Sequence, residues 1–133
     1  MKKTPKAVSL TLAATLASIA AKLATDKIMN GLTELTPKFA PVALSETGAV
    51  VAAVTGKKIR VLAYRLSSNG AVNVKWQSAS TDKTGLLYMD AAGKGEVAPF
   101  CPVGLFETAA SEALNLNLSA SIAVGGYVVY VEV

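Results

Sequence analysis

Histidine is absent from this 133-residue chain, and cysteine occurs once, as Cys101. The first absence excludes every Ser-His-Asp and Cys-His catalytic arrangement and every metal site with a histidine ligand. The single thiol excludes an intramolecular disulfide and a clustered set of cysteine ligands for zinc or iron–sulfur. Phe100 and Pro102 flank Cys101, and such an apolar setting is typical of a buried, unreactive thiol.

Charge is also scarce, because 17% of the residues are charged while 52% are hydrophobic. A globular protein usually carries about 25% charged residues, and so apolar a composition argues against intrinsic disorder. Little charge remains to cover the surface of a monomer, so we expect a partner or copies of the same chain to cover part of the apolar excess. The net charge is +4 with scattered cations, so we predict no nucleic-acid partner.

The acidic residues offer two weak candidates for chemistry. Glu107 and Glu112 are close in the chain, and a glycosidase needs two carboxylates roughly 5 to 9.5 Å apart. They lie, however, in an Ala- and Ser-rich connection, where glutamate is usually an ordinary solvent-exposed side chain. Asp82 and Asp90 lack the spacing of a calcium loop. We therefore predict no catalytic residue, no cofactor and no metal, and a protein that is not an enzyme.

The N-terminal region, residues 1–36, is predicted to be an arm. Its first 21 residues resemble a secretory signal, with a basic start and an apolar stretch. Hydroxyl residues dilute that stretch, however, and it is also too short to span a membrane. Helical spacing over residues 12–29 and the stop signal Asn30-Gly31 predict a helix. Its apolar side chains would contact either the chain's own domain or a neighbouring subunit; they are Leu12, Leu16, Ile19 and Leu23.

Residues 37–133 are predicted to form a β-domain, because the hydrophobic period changes to two from Phe39 onward. We count about eight antiparallel strands with frequent turns, which indicates a jelly-roll-like β-sandwich. Two turns are expected at Asn69-Gly70, as a hairpin, and at Gly125-Gly126. The two prolines Pro99 and Pro102 predict that the strand over residues 96–100 lies at an edge or at the end of a sheet.

Three strand patterns predict side-chain positions. Residues 57–67 are apolar on both faces, as in a strand buried against a neighbouring layer. Trp76 alternates in phase with Val72 and Val74, so it should be buried. Tyr130 alternates out of phase with Val129 and Val131, which makes it a candidate for the surface and for a subunit contact.

Five runs carry a resemblance to a known group of proteins: residues 59–64 (IRVLAY), 70–76 (GAVNVKW), 99–108 (PFCPVGLFET), 112–120 (EALNLNLSA) and 124–131 (VGGYVVYV). Together they make residues 57–133 similar to small proteins encoded among the structural genes of tailed bacteriophages, and to phage head-decoration (cement) proteins with a jelly-roll body. The resemblance implies a non-enzymatic virion protein on the capsid surface. It also implies a homotrimer that contacts the major capsid protein, often through an extended N-terminal arm.

A second hypothesis from another class stays open. A jelly-roll-like domain also suits a glycan- or receptor-binding module, either at a tail-fibre tip or as a secreted lectin-like protein. That hypothesis requires exposed aromatic side chains, for which Tyr130 is the candidate. Neither hypothesis includes a membrane.

Overall fold

The computed structural model describes Leu16 and residues 28–133, and it divides the chain into two units, Met1–Leu35 and Thr36–Val133. The described part of the first unit is a hairpin of β1 (Ile28–Asn30) and β2 (Thr33–Leu35), closed at Gly31, which has a φ of +60°. The predicted helix over residues 12–29 is therefore wrong at its end, because Asn30-Gly31 turns a hairpin there. The rest of the helical arm, including Leu12, Ile19 and Leu23, lies outside the described residues.

The second unit is mainly β and all its described strand pairs are antiparallel, which confirms that part of the predicted fold class. Its strands are β3 (Lys38–Leu44), β4 (Gly48–Val51), β5 (Ile59–Ser68), β6 (Val72–Ser78), β7 (Thr81–Asp82), β8 (Leu87–Met89), β9 (Gly95–Ala98), β10 (Phe106–Glu107), β11 (Leu114–Leu118) and β12 (Val124–Glu132).

Two sheets share these strands. In sheet I the order is β3, β12 and β5, and both β9 and β10 pair with the other side of β5. In sheet II the order is β4, β11 and β6, and both β7 and β8 pair with the other side of β6. The first strand of the unit thus pairs with its last strand, and the second with the last but one. Because β9 lies at an edge and ends just before Pro99, the edge position that the prolines predict is confirmed.

Two predicted turns are wrong. Asn69-Gly70 does not close a hairpin, since it joins β5 of sheet I to β6 of sheet II. Gly125-Gly126 is no turn either, because both glycines belong to β12, which pairs with strands far away in the chain. The residues Asn69-Gly70 thus mark a change of chain direction without showing which sheet receives the next strand, and the pair Gly125-Gly126 marks no change of direction.

The inner faces of the sheets form one hydrophobic core. Trp76 of sheet II is fully buried, as predicted, and its ring centroid lies 5.3 Å from that of Tyr64 and 6.2 Å from that of Phe106, both in sheet I. The β11 leucines, which alternate with asparagines, belong to the same cluster. Burial in this core raises the pKa of Tyr64. Packing between the sheets therefore centres on Trp76 and its aromatic neighbours.

A β-bulge in β5 changes the side-chain alternation of sheet I. Val129 pairs with Ala63 and Tyr130 pairs with Val61, so Leu62 is the extra residue between them. Ile59 and Val61 point inward before the bulge, and Tyr64 and Leu66 point inward after it. Most of the apolar residues that strict alternation placed on two faces of residues 57–67 therefore point to one inner face, because the bulge shifts the alternation by one residue.

Candidate functional site

The outer face of sheet I is defined by three rows of register partners after the bulge. The rows run across the strands and are Phe39, Val129 and Ala63; then Pro41, Tyr127, Arg65 and Val97; then Ala43, Gly125, Ser67 and Gly95. The first two rows carry mostly large apolar side chains, whereas the third row carries only small residues. The face therefore changes character along the strands.

An apolar groove occupies the part of this face that the first two rows form. Its volume is about 700 Å³, and Phe39, Val97, Phe100 and Tyr127 line it together with alanine, valine and proline residues. The exposed fractions are 74% for Phe39, 66% for Val97, 58% for Phe100 and 46% for Tyr127. Soluble monomers rarely leave contiguous apolar patches of more than a few hundred Å² in water, and patches of that size mark interaction sites.

A second depression lies beside the third row, at the end of the sandwich where β5 and β12 meet their loops. It has a volume of about 620 Å³, and Ala43, Ser67, Asn69, Gly93 and Gly125 are among its lining residues. Most of its lining residues are small, and none of them is charged. This end of the face can therefore accept a protruding side chain without a clash of charges.

Ion pairs lie beyond the rows. Lys38 donates a 2.9 Å hydrogen bond to Glu132, and that bond is the main cause that raises the pKa of Lys38. On β10, Glu107 accepts from Arg60 at 3.1 Å and from Lys58 at 3.4 Å. Partial burial opposes ionisation of Glu107, but its bonds to the two cations outweigh that effect and hold its pKa below the ordinary value of 4.5.

The outer face of sheet II has the opposite chemistry. Asn73, Lys75 and Gln77 of β6 lie opposite Tyr88, Asn117 and Asn115 respectively. Asp82 accepts hydrogen bonds from Gln77 at 2.8 Å and from Lys75 at 2.9 Å, and these two bonds lower its pKa. Tyr88 exposes 71% of its side chain beside this amide-rich surface.

Three of the carboxylates singled out in the sequence, Glu107, Glu112 and Asp82, have structural partners. Glu112 accepts a short hydrogen bond from the hydroxyl of buried Ser78, which in turn accepts from the N–H of Ala109. Glu107 and Asp82 hold the ion pairs described above. In the part of the chain that the structure describes, no three His, Cys, Asp or Glu side chains come together as metal ligands. Cys101 is half-buried, and its thiol lies 3.7 Å from the carbonyl oxygen of Gly104.

The structure describes two of the five predicted contact residues, Leu16 and Tyr130. Leu16 is described and exposes 58% of its side chain. Tyr130 is half-buried and packs against the core on the same side of β12 as Val128, rather than standing on the surface. Its role as a subunit contact stays a prediction. Sequence reasoning missed Phe39, Val97 and Tyr127. Phe39 lies two residues from both Pro37 and Pro41, and Val97 lies two residues before Pro99, whereas Tyr127 lies on the central strand β12.

No family model, no curated protein and no solved structure matches the chain. Within the described residues, no helix combines the length and the apolar character that crossing a membrane requires.

Proposed function

We propose that this chain is a structural protein of a bacteriophage virion, and that it acts as a capsid decoration (cement) protein on the head surface. The observation that carries the proposal is the exposed apolar face of sheet I, because neighbouring exposed apolar side chains around a groove are typical of an interaction site. The partners are further copies of the chain and the major capsid protein. The resemblance of residues 57–133 to decoration proteins supports the same function.

The strand order supports a jelly-roll body for this protein. With β7 and β10 set aside as two-residue strands, eight strands remain. Their order is β3, β12, β5, β9 in sheet I and β4, β11, β6, β8 in sheet II. That arrangement is the one expected for a double-sheet jelly roll, in which the two ends of the domain pair with each other.

In the proposed mechanism the body and the arm have separate tasks. The outer face of sheet I joins copies of the chain, while the arm, residues 1–36, attaches them to the capsid through Leu12, Leu16, Ile19 and Leu23. Each buried Å² of apolar surface contributes about 25 cal/mol before association costs. An oligomer repeats every contact, so individually weak attachments add up to a firm one.

The test is co-sedimentation with capsids assembled without a decoration protein. We expect the full chain to sediment with them, whereas a chain that lacks residues 1–35 should fold and stay in the supernatant, since Thr36–Val133 is a compact unit with its own core. A full chain that never sediments with capsids would contradict the proposed function. Equal sedimentation of both chains would contradict the task assigned to the arm.

A glycan- or receptor-binding module is the second candidate, and one observation favours it. Tyr88 is exposed beside Asn73, and neighbouring amides and Lys75 offer donors and acceptors on the same surface. An aromatic ring with adjacent amides suits the apolar and hydroxyl faces of a sugar. Binding on a glycan array that disappears in Tyr88→Ala and persists in Phe39→Ser would support this candidate over the first.

A further inference from the structure

We infer that the apolar groove on the outer face of sheet I binds a small amphipathic carboxylate, a molecule with an apolar chain and one carboxylate group, and that Arg65 recognises the carboxylate. The inference goes beyond the proposed function, because it assigns a ligand to the groove and does not depend on a capsid. Such a ligand would lie on the face that the proposed function gives to contacts between copies, so it would compete with those contacts.

The first argument is the size of the groove. Its volume of about 700 Å³ lies within the range of roughly 300 to 1,000 Å³ that small-molecule sites occupy. The face around it, with four strands and six residues, measures only roughly 20 by 20 Å. That area is about half of the ~800 Å² that each partner buries in a standard protein interface. The dimensions therefore suit a small molecule better than a single folded partner.

The second argument is the apolar wall of the groove. Three aromatic side chains, Phe39, Phe100 and Tyr127, are exposed there, and none of the lining residues is charged. An alkyl chain laid along the groove would remove these surfaces and its own surface from water, which is favourable and roughly proportional to the apolar area covered. This contribution has no direction, so a polar group beside the groove has to orient the ligand.

Arg65 is that polar group. It lies in the middle row, directly between Tyr127 of β12 and Val97 of β9, and both of these neighbours line the groove. The Cβ atoms of directly opposed residues are about 4.5 to 5.5 Å apart, so the long arginine side chain can reach the border of the groove. Among the residues that the structure describes, no carboxylate pairs with Arg65, whereas Arg60 of the same strand pairs with Glu107 at 3.1 Å.

The charges around the groove select an anion. Arg65 is the one charged residue in the three rows. Glu96 precedes Val97 on β9, but its register partner is the buried Leu66, so it lies on the inward side of the sheet. There, burial and in second place the charge of Glu96 raise the pKa of Tyr64.

The geometry of a guanidinium narrows the choice of anion. Its planar fork matches a carboxylate with two parallel hydrogen bonds. A phosphate group carries more charge and would call for further cations, whereas the rows supply only Arg65. A ligand with one carboxylate and an apolar chain therefore uses both features of this face.

NMR titration of the isotope-labelled full chain with decanoate tests the inference, at a dilution at which sedimentation shows a monomer. We expect saturable binding with a Kd below about 1 mM and amide shifts concentrated at Phe39, Val97, Phe100 and Tyr127. Acetate carries the charge without the chain, and decylamine carries the chain with the opposite charge. Each of these two should bind at least about tenfold more weakly than decanoate.

Two variants separate the roles of charge and wall. Arg65→Met keeps an apolar stem and removes the charge, so it should raise the Kd of decanoate about tenfold and abolish the preference over decylamine. Phe39→Ser opens the wall and should weaken both ligands. Both positions are exposed, so circular dichroism should show a folded domain in each variant. Lys83→Met is the matched control, because it removes an exposed cation that follows β7 of sheet II, and it should keep the wild-type Kd.

Three outcomes would overturn the inference. One is the absence of saturable decanoate binding up to about 1 mM. Another is decylamine binding as tight as that of decanoate. The third is a Kd for decanoate that Arg65→Met changes no more than Lys83→Met does. A chain that ignores decanoate and still sediments with capsids would overturn this inference alone and leave the proposed function standing.

Discussion

Sheets I and II form one sandwich around one core, yet their outer faces expose different kinds of side chain to water. Sheet I presents Phe39, Val97 and Tyr127, whereas sheet II presents amides, Lys75 and an Asp82 that is hydrogen-bonded to its neighbours. An antiparallel sheet with one solvated face normally follows the pattern of sheet II. The departure in sheet I therefore points to a requirement other than folding.

The comparison separates the residue types that a strand requires at inward positions from those that it carries at outward positions. Inward positions have to be apolar in both sheets, because both inner faces form one core around Trp76. Outward positions are free to follow function: sheet I uses them for Phe39, Val97 and Tyr127, whereas sheet II places Tyr88 among amides and charged groups. The predictions below test this separation, from the largest expected effect to the smallest.

The largest effect should come from the core on which both outer faces depend. Trp76→Ala should lower the free energy of unfolding by about 3 to 5 kcal/mol, because it removes a fully buried aromatic side chain between the sheets. Urea unfolding followed by circular dichroism measures this change. Tyr88→Ala, on the outer face of sheet II, is the control and should change the free energy of unfolding by less than about 0.5 kcal/mol. A small effect of Trp76→Ala would contradict a shared core.

The two adjacent glycines of β12 should respond very differently to alanine. A Cβ at Gly126 would lie 1.8 Å from the Arg65 carbonyl oxygen, and φ there is +140°. Gly126→Ala should therefore lower the free energy of unfolding by about 2 kcal/mol or more, from strain and steric overlap. Gly125→Ala should cost less than about 1 kcal/mol, because its Cβ has space. Urea unfolding of both variants gives the comparison, and equal losses would show that Gly125 too is required by the fold.

Polar substitution on the outer face of sheet I should alter surface properties and leave stability almost unchanged. We expect the double variant Phe39→Ser with Val97→Ser to bind less of a hydrophobic fluorescent dye, with a stability within about 1 kcal/mol of wild type, since both side chains are exposed. Tyr88→Ser should keep wild-type dye binding. Equal losses of dye binding in the two proteins would remove the contrast between the faces.

The smallest effect concerns pH. The pKa of Glu107 is lowered in the folded protein, so its ion pairs with Arg60 and Lys58 stabilise the fold above pH 4.5, and this contribution is lost as the pH falls through the lowered pKa. Glu107→Gln should flatten the decline of the free energy of unfolding below pH 4.5. Asp82→Asn in sheet II should act in the same direction below its ordinary value of 3.8. Urea unfolding at a series of pH values checks both, and an unchanged acid decline in Glu107→Gln would argue against these ion pairs.

Much of the β-domain could be predicted from hydrophobic alternation, and the exceptions have identifiable causes. Burial of Trp76 and an edge position before Pro99 follow from local chemistry, and both are confirmed. The strand β5 pairs with strands that are distant in the chain and not with β6, so the hairpin predicted at Asn69-Gly70 does not form. The bulge at Leu62 shifts the phase of β5 by one residue, which no periodic pattern shows.

The candidate site was harder to predict than the fold. Alternation separates the two sides of a strand, but Tyr127 and Tyr130 are both aromatic and flank the same valines. Tyr130 lies on the same side of β12 as the buried Val128 and packs against the core, whereas Tyr127 lies on the other side and faces outward. Phe39 likewise looks like a core residue in the sequence, because an apolar outward side chain cannot be told from an apolar inward one.

Hydroxyl-radical footprinting of the full chain at low and high concentration tests most directly whether the outer face of sheet I is the contact surface. The side chains to compare are Phe39, Phe100 and Tyr127 with Tyr88, which serves as the internal reference. We predict that the first three become protected as the concentration rises while Tyr88 remains fully reactive. Equal reactivity of all four side chains at every concentration would contradict the account.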